Sequence, residues 1–139
     1  MMKMVIKWQR LVNDAGETCE RCSCTGEATE AAFDKLRLGL REIGIKVQLE
    51  TISIDQNNFF ANPIDSNRIL IDDISLEEWL DGIIGSSKCC GPCGDSECRT
   101  LIVAGQSYEA IPEQLIIRAG LLAAAAKFKG IKLIDDLRH

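Results

Sequence analysis

The hydrophobic period of this sequence changes twice before residue 55, and that change restricts the fold more than any other feature. Met4, Ile6 and Trp8 alternate with Val5, Lys7 and Gln9 ahead of Leu11 and Val12, the pattern of a largely buried strand over about residues 3–12. Residues 13–16 break it. From Ala28 onward Phe33, Leu36, Leu40 and Ile43 recur at helical spacing, with Glu27 and Glu30 in the early turn and Gly44 just past the end. Residues 46–54 are then rich in β-branched side chains and read as a second strand. Two strands joined by one crossover helix lie parallel, because a right-handed βαβ unit is the normal way to close that connection.

Beyond residue 54 the elements shorten. Residues 56–67 hold Asn, Pro, Asp and Ser and read as loop or irregular helix, and 68–71 as a short apolar strand ended by Asp72 and Asp73. Ser75 and Glu78 form a capping-box pattern that opens a short helix through Leu80, with Gly82 behind it and Trp79, Leu76 and Leu80 as its core contacts. A cysteine- and glycine-rich loop occupies 85–98, residues 99–104 read as a fourth strand, and Pro112 opens a helix that runs to about Lys129 before Gly130. That helix is apolar almost all round, so it is either sandwiched in the core or shared with a second subunit of a homodimer. At 139 residues and 46% hydrophobic, the chain fits one domain over 1–139, with a cysteine-rich insert at 74–98. The expectation is an α/β fold: a mixed four-stranded sheet in which the strands near 3–12 and 46–54 are parallel and those near 68–71 and 99–104 antiparallel, flanked by helices.

Charge narrows the function classes. A net charge of −5, with no basic run, argues against nucleic acid, whose phosphates are bound by clustered Lys and Arg. The first twelve residues carry Lys3, Lys7 and Arg10 and lack the apolar core of a signal peptide, which predicts a cytoplasmic protein. The most apolar stretch, 115–128, contains Arg118 and Lys127 and falls short of the roughly 20 residues that span a bilayer. The only histidine is His139, so no internal imidazole is available for a Ser-His-Asp triad, a Cys-His nucleophile or an HExxH zinc site. Asp72-Asp73 and Asp135-Asp136 read as solvated surface rather than acid–base pairs.

The chemistry therefore falls to seven cysteines. Without a secretory signal they point to redox or metal chemistry more than to a disulfide framework. Cys19-Glu-Arg-Cys22-Ser-Cys24 lies between the first strand and the first helix. A thiol at a helix N-terminus is stabilised as thiolate by the dipole and unpaired N–H groups, and a second cysteine three residues on can resolve a mixed disulfide. Cys19 is thus the candidate nucleophile and Cys22 the resolver, against the plainer reading of buried or idle thiols.

Four more cysteines, Cys89, Cys90, Cys93 and Cys98, fall within ten residues. Cys90 to Cys93 spells CGPC, as in thioredoxins, but here it runs through Gly94, Asp95 and Ser96 into a strand, not into the long helix that gives that motif its reactivity. A thiolate-rich loop with Gly and Pro bends suits a tetrahedral sulfur site for zinc or an iron–sulfur cluster. Adjacent Cys89 and Cys90 cannot easily both ligate one ion, which leaves a local disulfide or reduced thiols as the competing reading.

The order of strand, CxxC, helix and strand, followed by two strands and a final helix, resembles the thioredoxin superfamily. More closely, the combination of Cys19-x-x-Cys22, Ser66-Asn67-Arg68-Ile69-Leu70-Ile71, Cys89-Cys90-x-x-Cys93, Cys98-Arg99-Thr100 and Tyr108-Glu109-Ala110-Ile111-Pro112 is similar to an uncharacterised family of small cysteine-rich prokaryotic proteins, a domain of unknown function, over roughly residues 4–125. The superfamily resemblance implies that Cys19 and Cys22 are the redox pair and that a cis-proline precedes the third strand. Here Ser66-Asn67 stand in that place and Pro63 comes too early, a departure that weakens the oxidoreductase reading and strengthens metal binding.

The first expectation is therefore a thiol–disulfide oxidoreductase or redox sensor that uses Cys19 and Cys22 on protein thiols or disulfides. The alternative is a non-enzymatic protein that binds zinc, an iron–sulfur cluster or another thiophilic metal through Cys89, Cys90, Cys93 and Cys98. In a four-stranded sheet of this order Cys98 starts the last strand at the edge away from Cys22, about 17 Å off for a five-residue strand, so the two clusters are expected to be independent sites.

Overall fold

A computed structural model describes residues 2–12, 16, 18, 20–88 and 97–129. Its elements run β1 (Met2–Leu11), α1 (Glu20–Arg41), β2 (Ile45–Ile54), α2 (Gln56–Ala61), a 3-10 turn at Pro63–Asp65, β3 (Arg68–Ile71), β4 (Ile74–Ser75), α3 (Leu76–Trp79), β5 (Ile83–Lys88), β6 (Glu97–Val103), β7 (Gln106–Tyr108) and α4 (Glu113–Lys129).

The opening unit follows the crossover rule: β1 and β2 are parallel, paired from Met2 with Ile45 to Leu11 with Ile54. Gly44, at a φ of +84°, makes the left-handed turn between α1 and β2. The helix begins at Glu20, eight residues before the apolar period does. Its first turns bury polar side chains instead. Thr25 and Thr29 are fully buried, the Thr25 hydroxyl accepting from the Ile111 amide at 3.0 Å and the Thr29 hydroxyl donating to the Thr25 carbonyl at 2.7 Å. A buried face made of threonines carries no hydrophobic period, so the sequence pattern places the helix start too late.

The main sheet is mixed and four-stranded, in the order β2-β1-β3-β4, with β3 antiparallel to both neighbours. Its fourth strand is not the one expected. Ile71 pairs with Ile74 across a two-residue turn, and Asp72 and Asp73 both take the positive φ that such a hairpin requires. These aspartates are tied down as well: Asp72 accepts the Val5 amide at 3.0 Å and pairs with Lys127 at 2.7 Å, while Asp73 pairs with Lys7 at 2.7 Å. The 99–104 strand is β6, the centre of a separate antiparallel sheet, β5-β6-β7. Both of its edges are occupied. Residues 83–88, of which 85–88 fall in the expected loop, pair along β6 from Ile83–Ile102 to Lys88–Glu97, and β7 returns on the other side. With β1 and β4 on either side of β3, the place beside β3 expected for β6 is taken. The described part of the 74–98 segment forms β4, α3, β5 and the first two residues of β6.

The capping box is also not formed. Ser75 makes no side-chain cap, and its hydroxyl accepts from the Arg68 guanidinium at 2.9 Å. Trp79 meets expectation, packing on the core and donating its indole N–H to the Ile71 carbonyl at 3.0 Å.

The core joins Met4 and Ile6 of β1, Leu36 and Leu40 of α1, Ile45 and Val47 of β2, Ile69 and Ile71 of β3 and Leu101 of β6 to Leu115, Ile116, Ala119 and Ala123 of α4. Each buried aliphatic side chain of this kind stabilises by about 1.5–3 kcal/mol. α4 is not covered all round: Leu121, Leu122 and Phe128 are exposed. Among the described residues no helix is long and apolar enough to cross a membrane.

Candidate functional site

The end of β1, the start of α1, α2 and the start of β6 meet in a second, smaller buried cluster. It consists of Leu11, Cys22, Phe59 and Cys98, with Trp8 and Ile54 packed against it. Cys22 and Cys98 have no solvent exposure. Cys98 is therefore not held a strand's length from Cys22 as expected. Because β6 leaves the main sheet, its first residues cross beside the segment that leads into β3 instead of lying at the far sheet edge, and the Asn67 amide donates to the Arg99 carbonyl at 3.4 Å.

Cys22 stands in the first turn of α1, where unpaired amides and the helix dipole favour negative charge. Its Sγ lies 3.3 Å from the Ser66 hydroxyl, and that hydroxyl also accepts the Leu11 amide at 3.0 Å. A hydroxyl has one proton and two acceptor lone pairs. With Leu11 using an acceptor site, the proton is available to a thiolate at Cys22. Ser66, the residue in the place where the resemblance puts a cis-proline, is fully buried, and no cis peptide occurs among the described residues.

Trp8 approaches α1 directly over Gly26, one turn after Cys22. A Cβ at Gly26 would stand 2.3 Å from the Trp8 ring, so only glycine admits this approach. Cys24, two residues past Cys22, is exposed.

Arg21 links the two cysteine groups, and its role was not read from the sequence. Its side chain is 7% exposed, and the guanidinium donates to the carbonyls of Lys88 at 2.9 Å, Cys98 at 3.3 Å and Ser87 at 3.4 Å, and to the Ser87 hydroxyl at 2.9 Å. Glu109 approaches it from the solvent side at 3.4 Å. One signal for it was present: a cation in the first turn of a helix opposes the dipole, so its partners must lie elsewhere. Behind it, Arg99 pairs with Glu77 at 2.5 Å, both nearly buried; burial pushes the Arg99 guanidinium below its usual pKa while Glu77 opposes the shift. Asn67, at a φ of +58° between the 3-10 turn and β3, donates to the Glu109 carbonyl at 2.8 Å.

Of the sequence candidates, Cys22 and Cys98 are brought together. Cys19, Cys89, Cys90 and Cys93 lie outside the described residues, as does Asp135-Asp136. Among the described residues no three Cys, His, Asp or Glu side chains are grouped to hold a metal ion.

The model of the domain of unknown function DUF2703 matches residues 4–120. The chain belongs to this family. The match runs from β1 into α4 and takes in every cysteine, in keeping with the family resemblance read from the motifs. An uncharacterized protein of Archaeoglobus fulgidus is 37% identical over 115 residues, covering 83% of each chain. No solved structure matches.

Proposed function

We propose that this DUF2703 protein is a thioredoxin-like thiol–disulfide oxidoreductase or redox sensor acting on protein disulfides. The observation that carries the reading is Cys22: wholly buried, in the first turn of the crossover helix, with its sulfur at the Ser66 hydroxyl ahead of β3. The strand order β2-β1-β3-β4, with one parallel and two antiparallel pairings, supports the same comparison. A buried thiol suits a resolver and not an attacking group. Cys19 thiolate attacks a substrate disulfide, the first substrate thiolate leaves, and a mixed disulfide forms. Cys22 thiolate then attacks the Cys19 sulfur, the mixed bond breaks, the second substrate thiolate leaves, and the Cys19–Cys22 disulfide remains; both leaving thiolates take protons from solvent. The substrate is reduced by two electrons and the pair oxidised by two.

The test is reduction of a model disulfide by the fully reduced protein. Cys19→Ser is expected to abolish it and Cys22→Ser to trap a mixed disulfide at Cys19. Unchanged activity in Cys19→Ser refutes the reading.

A second reading, a thiolate site for zinc or an iron–sulfur cluster at Cys89, Cys90, Cys93 and Cys98, is favoured by the β5–β6 pairing. Lys88 faces Glu97 and Ser87 faces Cys98, so the ladder ends on either side of the segment that carries Cys89, Cys90 and Cys93 and holds Cys98 next to it in sequence. Its check is metal content and absorption of anaerobically purified protein, with loss expected on Cys93→Ser.

A further inference from the structure

We infer that Cys98 is a second thiol partner of Cys22, and that a Cys19–Cys22 disulfide passes by internal exchange to a buried Cys22–Cys98 disulfide joining α1 to β6. This inference rests on the oxidoreductase reading above. Cys22 and Cys98 are both sealed from solvent, so neither sulfur can meet an external disulfide directly, and an oxidising equivalent reaches them through another sulfur of the chain. They share one apolar cluster between Leu11 and Phe59. The polar groups around them are also shared. Ser66 touches the Cys22 sulfur while its neighbour Asn67 bonds to the carbonyl next after Cys98, and Arg21, adjacent to Cys22 in the chain, donates to the Cys98 carbonyl. Cys24 is excluded by position, since residues two apart on a helix face different directions and its side chain is exposed.

The exchange needs no outside oxidant. Cys98, as thiolate, attacks the Cys22 sulfur; the Cys22–Cys98 bond forms, the Cys19–Cys22 bond breaks, and Cys19 leaves with the electron pair and takes up one proton, which balances the one Cys98 loses. No net oxidation occurs. The product stores the disulfide where external thiols cannot reach it, returns Cys19 to the thiol form, and fixes the Ser87–Cys98 end of the β5–β6 ladder to the crossover helix.

The experiment is a time course on the reduced full-length protein with glutathione disulfide, stopped with acid, alkylated and digested with trypsin and a glutamyl endopeptidase. Cleavage after Arg21 and after Glu97 puts Cys19, Cys22 and Cys98 on separate peptides. The expected result is a Cys19–Cys22 link that appears first and declines as a Cys22–Cys98 link replaces it, with Cys19 recovered alkylated or as its glutathione adduct. A Cys19–Cys22 link that persists as end product with Cys98 alkylated overturns the exchange and leaves the oxidoreductase reading standing. Oxidation that never links Cys19 to Cys22 removes that reading and the exchange with it. In Cys98→Ala the Cys22–Cys98 peptide is lost and the Cys19–Cys22 link becomes the end product. The wild-type time course decides the matter even where that variant folds poorly.

Discussion

Replacing Arg21 by methionine is the sharpest test of how the site is assembled. Methionine keeps most of the buried aliphatic length and removes only the guanidinium. Four hydrogen bonds to the end of the β5–β6 hairpin go with it, two at 2.9 Å and two at 3.3–3.4 Å. A hydrogen bond from a charged donor contributes about 1.5–3 kcal/mol. The two long ones add little, and the Lys88 carbonyl sits at an exposed residue where water can replace the donor, so the sum falls to about 3 kcal/mol. The ion pair with Glu109 is a minor part, because that carboxylate is 66% exposed and such pairs are worth about 0.5 kcal/mol. Urea unfolding should therefore show a loss of about 3 kcal/mol for Arg21→Met, a fall of about 10 °C in Tm for a chain of this size, and about 0.5 kcal/mol or less for Glu109→Gln. A loss under about 1 kcal/mol in Arg21→Met, or equal losses in the two variants, refutes the reading that the buried strap to the hairpin, and not surface charge, is what Arg21 supplies.

Three further changes probe the surroundings. Gly26→Ala gains about 1 kcal/mol of helix propensity but drives a Cβ into the Trp8 ring, an overpacking cost near 3 kcal/mol, so chemical denaturation should show a net loss of about 2 kcal/mol. Glu77→Ala leaves the buried Arg99 charge without its carboxylate and should cost about 3 kcal/mol, with Glu77→Ala/Arg99→Leu recovering part of it in a double-mutant cycle. Asn67→Ala loses the bond to the Glu109 carbonyl and puts at positive φ a residue that tolerates it less well than asparagine; a loss of about 2 kcal/mol is expected, with Asn67→Gly losing less because glycine adopts that φ freely.

Elements made by apolar periodicity are legible in the sequence. The alternation of Met4, Ile6 and Trp8, the β-branched run of β2, the 68–71 strand and the Pro112-led start of α4 all appear close to where the residues put them. What the pattern missed was set by polar groups and by pairing partners. Thr25 and Thr29 bury a helix face without hydrophobicity, which hid eight residues of α1. Ile83 to Lys88 spell Ile-Ile-Gly-Ser-Ser-Lys, too short and too polar at one end to announce a strand, and only the ladder to β6 makes it one. The Ser75–Glu78 capping box failed for a related reason: Arg68, across the hairpin, took the serine hydroxyl first.

The unrecognised strands β5 and β7 also account for the expectation of two separate sites. Once 99–104 is assigned to the main sheet, its start must lie a strand's length from α1, and Cys98 with it. When β5 and β7 occupy both edges of β6, the strand is free to cross behind the 3-10 turn, and Cys98 comes to the cluster that holds Cys22. Neither cysteine spacing nor motif matching contains that information, because the relevant neighbour of Cys98 is fixed by where hydrogen-bonding edges are already satisfied. The residue pointing the right way was Arg21, a cation set against a helix dipole inside a CxxC. Such a charge is tolerated only where acceptors from another part of the chain converge on it, and here three backbone carbonyls of the β5–β6 hairpin do so.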